Sequence, residues 1–379
     1  MENYHSHKHF LPFLCFFLLL LTGQQGVEAS DHNHNVNVDG DDRDNDLVYS
    51  FYPKKLFVFG DSYSDTGNSD KSKPYKCWKY PYGITFPGKP TGRFSDGRIF
   101  TDYLAKFVGV KSPLPYQKWR EMGGKGALEY GMNFAYGGTG VFETLLGGPN
   151  LTTQIDLFQK LIKQSVITTT DLHSSLALIT ITGNDYSTFQ AKNVSSQDYP
   201  SFITAMVDQT CLNLKHIREL GVKIIAVANF PPLGCLPRLT TMTSFQHCSE
   251  TLNELVNFHN NLLQQAVAKL NNEAEDSSPF LILDFYASFM SIFEKKGDPQ
   301  GGIEFENLLK PCCVGTSSEY SCGSVDQSGL SKYTICDDPK SAFFWDNLHL
   351  TQQGWRAVYS ALQPTLYQLF ESNGVYLSS

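Results

Sequence analysis

An apolar run stops at Gly60-Asp61-Ser62 within FVFGDSYSDTGN (Phe57 to Asn68), and far downstream WDNLHLT sets Asp346 and His349 three residues apart. A serine hydroxyl becomes a nucleophile only with a base for its proton, a group that orients the base, and donors for the oxyanion it creates. Asp346 and His349 suit the first two needs, because in one turn of chain the carboxylate reaches Nδ1 and leaves Nε2 facing a serine. Candidates for the third lie between them. ITGND places Asn184 directly after an apolar run, and NFAYGGTG (Asn133 to Gly140) supplies consecutive glycines whose backbone can approach a substrate closely. Taken singly, each fragment reads equally well as a turn or a surface loop. Together with Ser62 they point to nucleophilic acyl chemistry, while Asp61 and Asp65 read as turn formers rather than proton-transfer groups.

Such groups need a scaffold that brings distant segments to one edge. KLFVFG (Lys55 to Gly60), Ser174 to Gly183, Val222 to Phe230 and Pro279 to Phe285 read as buried strands, rich in β-branched or aromatic residues and closed by turn formers. Between them, Tyr199 to Leu220 and Leu252 to Leu270 carry apolar residues at spacings of three and four, the mark of helices with one face on a core. Strands buried on both faces and separated by amphipathic helices predict a mostly parallel sheet between helical layers. In such sheets ligands bind beyond the carboxyl ends of the strands, which is where Ser62 would lie. No internal repeat or linker interrupts the chain, so residues 49–379 read as one domain.

The ends and the composition set the context. Phe10 to Leu21 is an apolar run preceded by Lys8 and followed by a small-residue cleavage pattern at Val27 to Ala29. It is too short to span a bilayer and reads as a signal peptide, residues 1–29. Residues 30–48 form an acidic segment with little to bury, which predicts disorder. Asp31 to Leu47 holds six aspartates and one arginine, and so −5 of the formal net charge of −8. The remainder is close to neutral and has no basic patch of the kind nucleic acid requires. Of nine cysteines, Cys15 leaves with the leader, and an even set of eight in a secreted chain favours disulfides. Local spacing suggests Cys235 with Cys248 and two bridges among Cys312, Cys313, Cys322 and Cys336, with Cys77 and Cys211 left as the least certain pair. Asn150-Leu-Thr and Asn193-Val-Ser match N-glycosylation sequons.

The blocks FVFGDSYSDTGN, NFAYGGTG, ITGND and WDNLHLT, in this order, resemble those of the GDSL esterase/lipase family, the SGNH hydrolases, and in particular its secreted plant branch. GRFSDGR (Gly92 to Arg98) and ANFPPLGCLP (Ala228 to Pro237) resemble further plant segments. The resemblance implies a three-layer α/β/α fold of flavodoxin-like type with a five-stranded parallel sheet, and neither a metal nor an organic cofactor. It implies Ser62 as nucleophile, His349 as base and Asp346 as its orienting carboxylate. The Ser62 N–H, the Gly138 N–H and the Asn184 side chain would form the oxyanion hole. Thr182 stands where the plant relatives usually have glycine, and Leu350 where proline is usual, so both are expected to alter the site walls. The implied protein is a secreted serine esterase or lipase acting on lipid or small acyl esters. Alternatives are an acyltransferase with the same triad and an alcohol acceptor, or a binding protein that has lost catalysis.

Overall fold

Alternation along the first strand shows how the core is built. In the computed structural model, which describes residues 53–372 apart from 73–74, 125–127, 193, 275–278 and 297–303, β1 (Lys55–Gly60) is buried along nearly its whole length. Phe57 and Phe59 both pack on Phe158, with ring centroids 4.8 and 5.4 Å apart. Leu56 and Val58 must then face the opposite side, where they are equally inaccessible. A strand covered on both faces requires helices on both, and the sequence supplies them.

Six strands form the sheet: β1, β2 (Leu114–Pro115), β3 (Gly131–Asn133), β4 (Ser175–Thr180), β5 (Ile224–Ala228) and β6 (Phe280–Leu283). Their order is β2-β3-β1-β4-β5-β6 and every pairing is parallel, with Lys55 opposite Ser175 and Gly60 opposite Thr180. The four strands read from sequence are β1, β4, β5 and β6. The expected count of five becomes six because the two-residue β2 adds an edge beyond β3.

In chain order the helices are α1 (Phe100–Phe107), α2 (Tyr116–Glu121), α3 (Leu151–Lys163), α4 (Thr169–His173), α5 (Asn184–Gln190), α6 (Tyr199–Glu219), α7 (Pro237–Thr240), α8 (Glu250–Glu273), α9 (Phe285–Lys295) and α10 (Gln352–Ser372). One helical group is α3, α6 and α8, where α6 packs on both of the others. The second is α1, α9 and α10, joined by mutual ring contacts of Phe100, Phe285 and Trp355. Among the described residues no helix is long and apolar enough to cross a membrane. The signal peptide and acidic segment of the sequence reading fall outside the described residues, as does Asn193. Asn150 caps α3, its Oδ1 accepting from Thr153 N at 2.9 Å.

Three disulfides join Cys235 to Cys248, Cys312 to Cys336 and Cys313 to Cys322. The last two sit in a satellite core with Tyr82, Phe94 and Trp345, beside a hairpin of β7 (Cys313–Gly315) and β8 (Tyr333–Ile335). Cys77 and Cys211 are unpaired, which corrects the reading of them as a bridged pair, the least certain one in the sequence. The reason is location: Cys77 belongs to that satellite core, whereas Cys211 lies on α6 against the main one. Burial pushes both thiols up, Cys211 to about 11, so neither supplies thiolate at neutral pH. Alkylation of denatured, unreduced protein should therefore label two of the eight cysteines, and iodoacetamide on the native protein should leave activity unchanged. Intact mass settles it, since no adducts or more than two would contradict this pairing.

Candidate active site

The abrupt end of β1 has a steric cause. Gly60 adopts φ +136°, and a Cβ there would lie 2.0 Å from the Thr180 carbonyl oxygen, so only glycine lets the chain leave the sheet at this point. Asp61 N still donates to Thr180 O at 3.0 Å, after which the N–H groups of Ser64 and Asp65 fold back onto Asp61 O. Ser62 stands at the start of this turn, beyond the carboxyl end of β1.

The two neighbouring carboxylates brace the turn, as their turn-former reading expects. Asp61 Oδ1 accepts from Tyr63 N, while Oδ2 accepts from both N and Oγ1 of Thr182, each at 2.7 Å. Burial pushes Asp61 up to about 6, against those hydrogen bonds and the nearby His349. Because its folded value lies above that of a free aspartate, Asp61 favours folding less as pH rises towards 6. Asp65 accepts from Gly67 N, Asn68 N, Ser69 and, across to the glycine block, Gly137 N at 3.0 Å. Asn68 and Asn133 add a second lacing, with Asn68 Nδ2 on Asn133 O and Ala135 O and Asn133 Nδ2 on Ser64 O. These bonds seat Gly138, at φ +82°, on the wall of the cleft that contains Ser62.

Asn184 opens α5 directly after Gly183, whose φ of +116° turns the chain out of the sheet. Its Nδ2 donates to Thr139 O at 2.9 Å and reaches Asp61 Oδ2 only at 3.5 Å. One amide hydrogen is thus firmly held and the other weakly engaged. Thr182, one of the two departures noted in the sequence, lines the cleft and supplies two donors to Asp61 that a glycine would halve. The other departure does not behave as expected. Leu350 is fully buried in the main core and bridges to Phe344, so it shapes no cleft wall.

His349 and Asp346 form one turn closed on itself. Asp346 Oδ1 accepts from the N–H groups of Leu348 and His349, both at 2.8 Å, and both carboxylate oxygens lie 2.9 Å from His349 Nδ1. On the far side of the ring, His349 Nε2 lies 2.8 Å from Ser62 Oγ. The serine, histidine and aspartate singled out in the sequence are therefore in contact, though 287 residues separate the first two. Burial alone would raise the Asp346 carboxyl, but His349, the Tyr82 hydroxyl and the Leu348 N–H bring it below the usual range. It stays ionised across the neutral range.

Sequence reasoning missed the groups that hold the imidazole. Tyr82, buried, donates its hydroxyl to Asp346 Oδ2 at 2.6 Å. Phe94 lies 4.9 Å from the His349 ring, and Tyr63, edge-on at 6.1 Å, fixes the backbone through a bond from its hydroxyl to Leu348 O. Phe94 sits in GRFSDGR, where Arg93 clamps Asp102 through two bonds and Asp96 caps α10 by accepting from Gln352 N. That segment carried a signal, whereas Tyr82 is 264 residues from its partner and no local pattern marks it.

The chain from 56 to 362 matches the family model described as GDSL-like Lipase/Acylhydrolase. Two GDSL esterase/lipases of Arabidopsis thaliana are 56% identical over 365 residues (93% of this chain, 96% of the relative) and 52% identical over 316 residues (83% and 88%). Acetylajmalan esterase 2 of Rauvolfia serpentina is 28% identical over 337 residues, 82% of this chain and 90% of the relative. Among solved structures, a catalytic mutant of an acetylxylan esterase from Geobacillus stearothermophilus is similar at 12% identity, with a TM-score of 0.40 over 86% of this chain and 97% of that one. That likeness is too distant to bear on the site.

Proposed function

Because this chain belongs to the GDSL lipase/acylhydrolase family, whose members are carboxylic ester hydrolases, we propose that it cleaves esters through an acyl-enzyme on Ser62. The observation that carries the reading is the continuous contact from Ser62 Oγ through His349 Nε2 and Nδ1 to Asp346. His349 takes the Ser62 proton as Oγ attacks the carbonyl carbon, and the protonated ring then gives that proton to the departing alkoxide. Water, deprotonated by the same nitrogen, releases the acid and restores the serine. The developing oxyanion is held by the N–H groups of Ser62 and Gly138 and by the weakly engaged hydrogen of Asn184 Nδ2.

Asn184→Ala should lower kcat about 10²-fold with a smaller change in KM, since the donor matters only once charge develops on the carbonyl oxygen. Steady-state kinetics on a soluble ester decides it: a rise in KM alone would make Asn184 a substrate-binding group instead.

Three disulfides and the Asn150 sequon support maturation in an oxidising compartment, and the apolar leader supports secretion after cleavage near Ala29. The whole reading is tested by collecting the exported protein, sequencing its N-terminus and analysing its products from an ester with and without added alcohol. A start near Ser30 and free acid as the main product support a secreted hydrolase. Predominant transfer to the alcohol would make the same triad that of an acyltransferase.

A further inference from the structure

The cleft over Ser62 is larger than an acetyl group needs. It encloses about 820 Å³, and its walls carry Leu145 and Leu146 as well as Leu236, Leu239, Leu252 and Leu255. Leu145 and Leu146 are 71% and 55% exposed, an adjacent apolar pair left to water at the rim of a catalytic cleft. They have not failed to find the core, because their loop is tied in place. Thr144 Oγ1 donates to Gly138 O at 2.6 Å, Leu145 N to Thr188 Oγ1 of α5 at 3.1 Å, and Gly147 N to Thr144 O at 3.0 Å. A fixed loop that keeps two leucines at the rim gains burial only when something apolar enters.

The chemistry of the site says which part of the substrate that is. With the carbonyl oxygen directed at Gly138 and Asn184 and the leaving oxygen at His349 Nε2, the remaining substituent on the carbonyl carbon is the acyl chain. The leaving group borders Leu348 and His349, a segment joined to α7 by the bond from Arg238 N to Asn347 O. The glycine assigned to the oxyanion hole borders Leu146, since a Cβ on Gly138 would come within 2.7 Å of Leu146 Cδ1. An acyl chain that leaves the carbonyl carbon past Gly138 therefore meets Leu146, with Leu145 next to it. Resting on the esterase reading, we infer that the substrate's acyl half is an aliphatic chain longer than acetyl. Leu145 and Leu146 hold it together with Leu252 and Leu255, and these residues set chain-length preference.

The test is a series of soluble p-nitrophenyl esters from acetate to decanoate, each kept below its aggregation limit. Each methylene that becomes buried should raise kcat/KM about three- to fourfold, so octanoate should exceed acetate by at least about 100-fold. Leu145→Ser and Leu252→Ser, both in the cleft lining but on different segments, should each cut the octanoate-to-acetate ratio about tenfold. Met242→Ser removes an 83% exposed apolar side chain outside the cleft and should leave that ratio unchanged. A ratio that is flat or favours acetate in the natural protein overturns the inference, as does an equal fall in all three variants or no fall in either wall variant. These results remain distinct from failure of the esterase reading, in which no ester is cleaved and a serine-reactive phosphonate leaves Ser62 unlabelled.

Discussion

Ser62→Ala should lose at least about 10³-fold in kcat/KM, and all covalent labelling by an organophosphonate, while its melting temperature stays near that of the natural protein. The expected size follows from what the hydroxyl does. On the proposed mechanism it is the atom that bonds to the acyl group, and the oxyanion donors and the cleft can supply only residual rate without it. Folding is spared because the hydrogen-bond partner of Ser62 Oγ among the described residues is His349 Nε2 and the side chain is partly open to the cleft. Ser64 gives the contrasting control. It is fully buried, its Oγ lies 2.6 Å from Thr180 Oγ1, and its carbonyl accepts from Thr101 and Asn133. Ser64→Ala should therefore cost about 1–3 kcal/mol of stability by stranding the Thr180 hydroxyl, and should retain labelling. Stoichiometric phosphonate adduct in the Ser62→Ala protein would place the nucleophile elsewhere.

The contrast between Ser62 and Ser64 also marks how far the sequence could be read. The residues proposed to do chemistry announced themselves because their local settings are unusual: a strand closed by Gly-Asp-Ser, consecutive glycines, an aspartate three residues before a histidine. The long strands and two of the three long helices, α6 and α8, were legible because each carries its own hydrophobic period, whereas α10 was not read from the sequence. β3, with three residues, and β2, with two, are too short to show any period, and each is a strand only through its pairing, β3 along β1 and β2 along β3. The disulfide between Cys235 and Cys248 joins cysteines at a sequence separation of 13 and was visible in spacing. That Cys77 and Cys211 stay apart was not, because it depends on which of two cores each enters. Leu350 shows the same limit from the other side, since its position next to the histidine suggested a wall residue and packing made it core. Local pattern identifies a reacting group, but tertiary contact alone identifies the groups that support it.

Asp346→Asn depends on that support. The variant should lose about 10³- to 10⁴-fold in kcat with little change in fold, and the hydrogen-bond pattern explains why an isosteric amide fails. Oδ1 receives two backbone N–H groups, from Leu348 and His349, so an asparagine at 346 must turn its carbonyl oxygen there. Its NH₂ then occupies the place of Oδ2, where it faces His349 Nδ1 and the Tyr82 hydroxyl. An NH₂ can only donate to Nδ1, which drives the imidazole to the tautomer with hydrogen on Nε2, and that nitrogen can no longer accept the Ser62 proton. Tyr82→Phe separates orientation from charge. It removes only the 2.6 Å donor on Oδ2 and leaves the Asp346–His349 contact in place, so kcat should fall no more than about tenfold with KM unchanged. A carboxylate with one donor fewer holds the protonated imidazole more firmly, so the acid limb of the pH–rate profile should move to higher pH. A merely structural tyrosine would lower melting temperature without moving that limb. Asp346→Asn retaining more than about a tenth of the natural kcat would sink the assignment, because no neutral side chain at this position can both accept from Nδ1 and satisfy the two backbone donors.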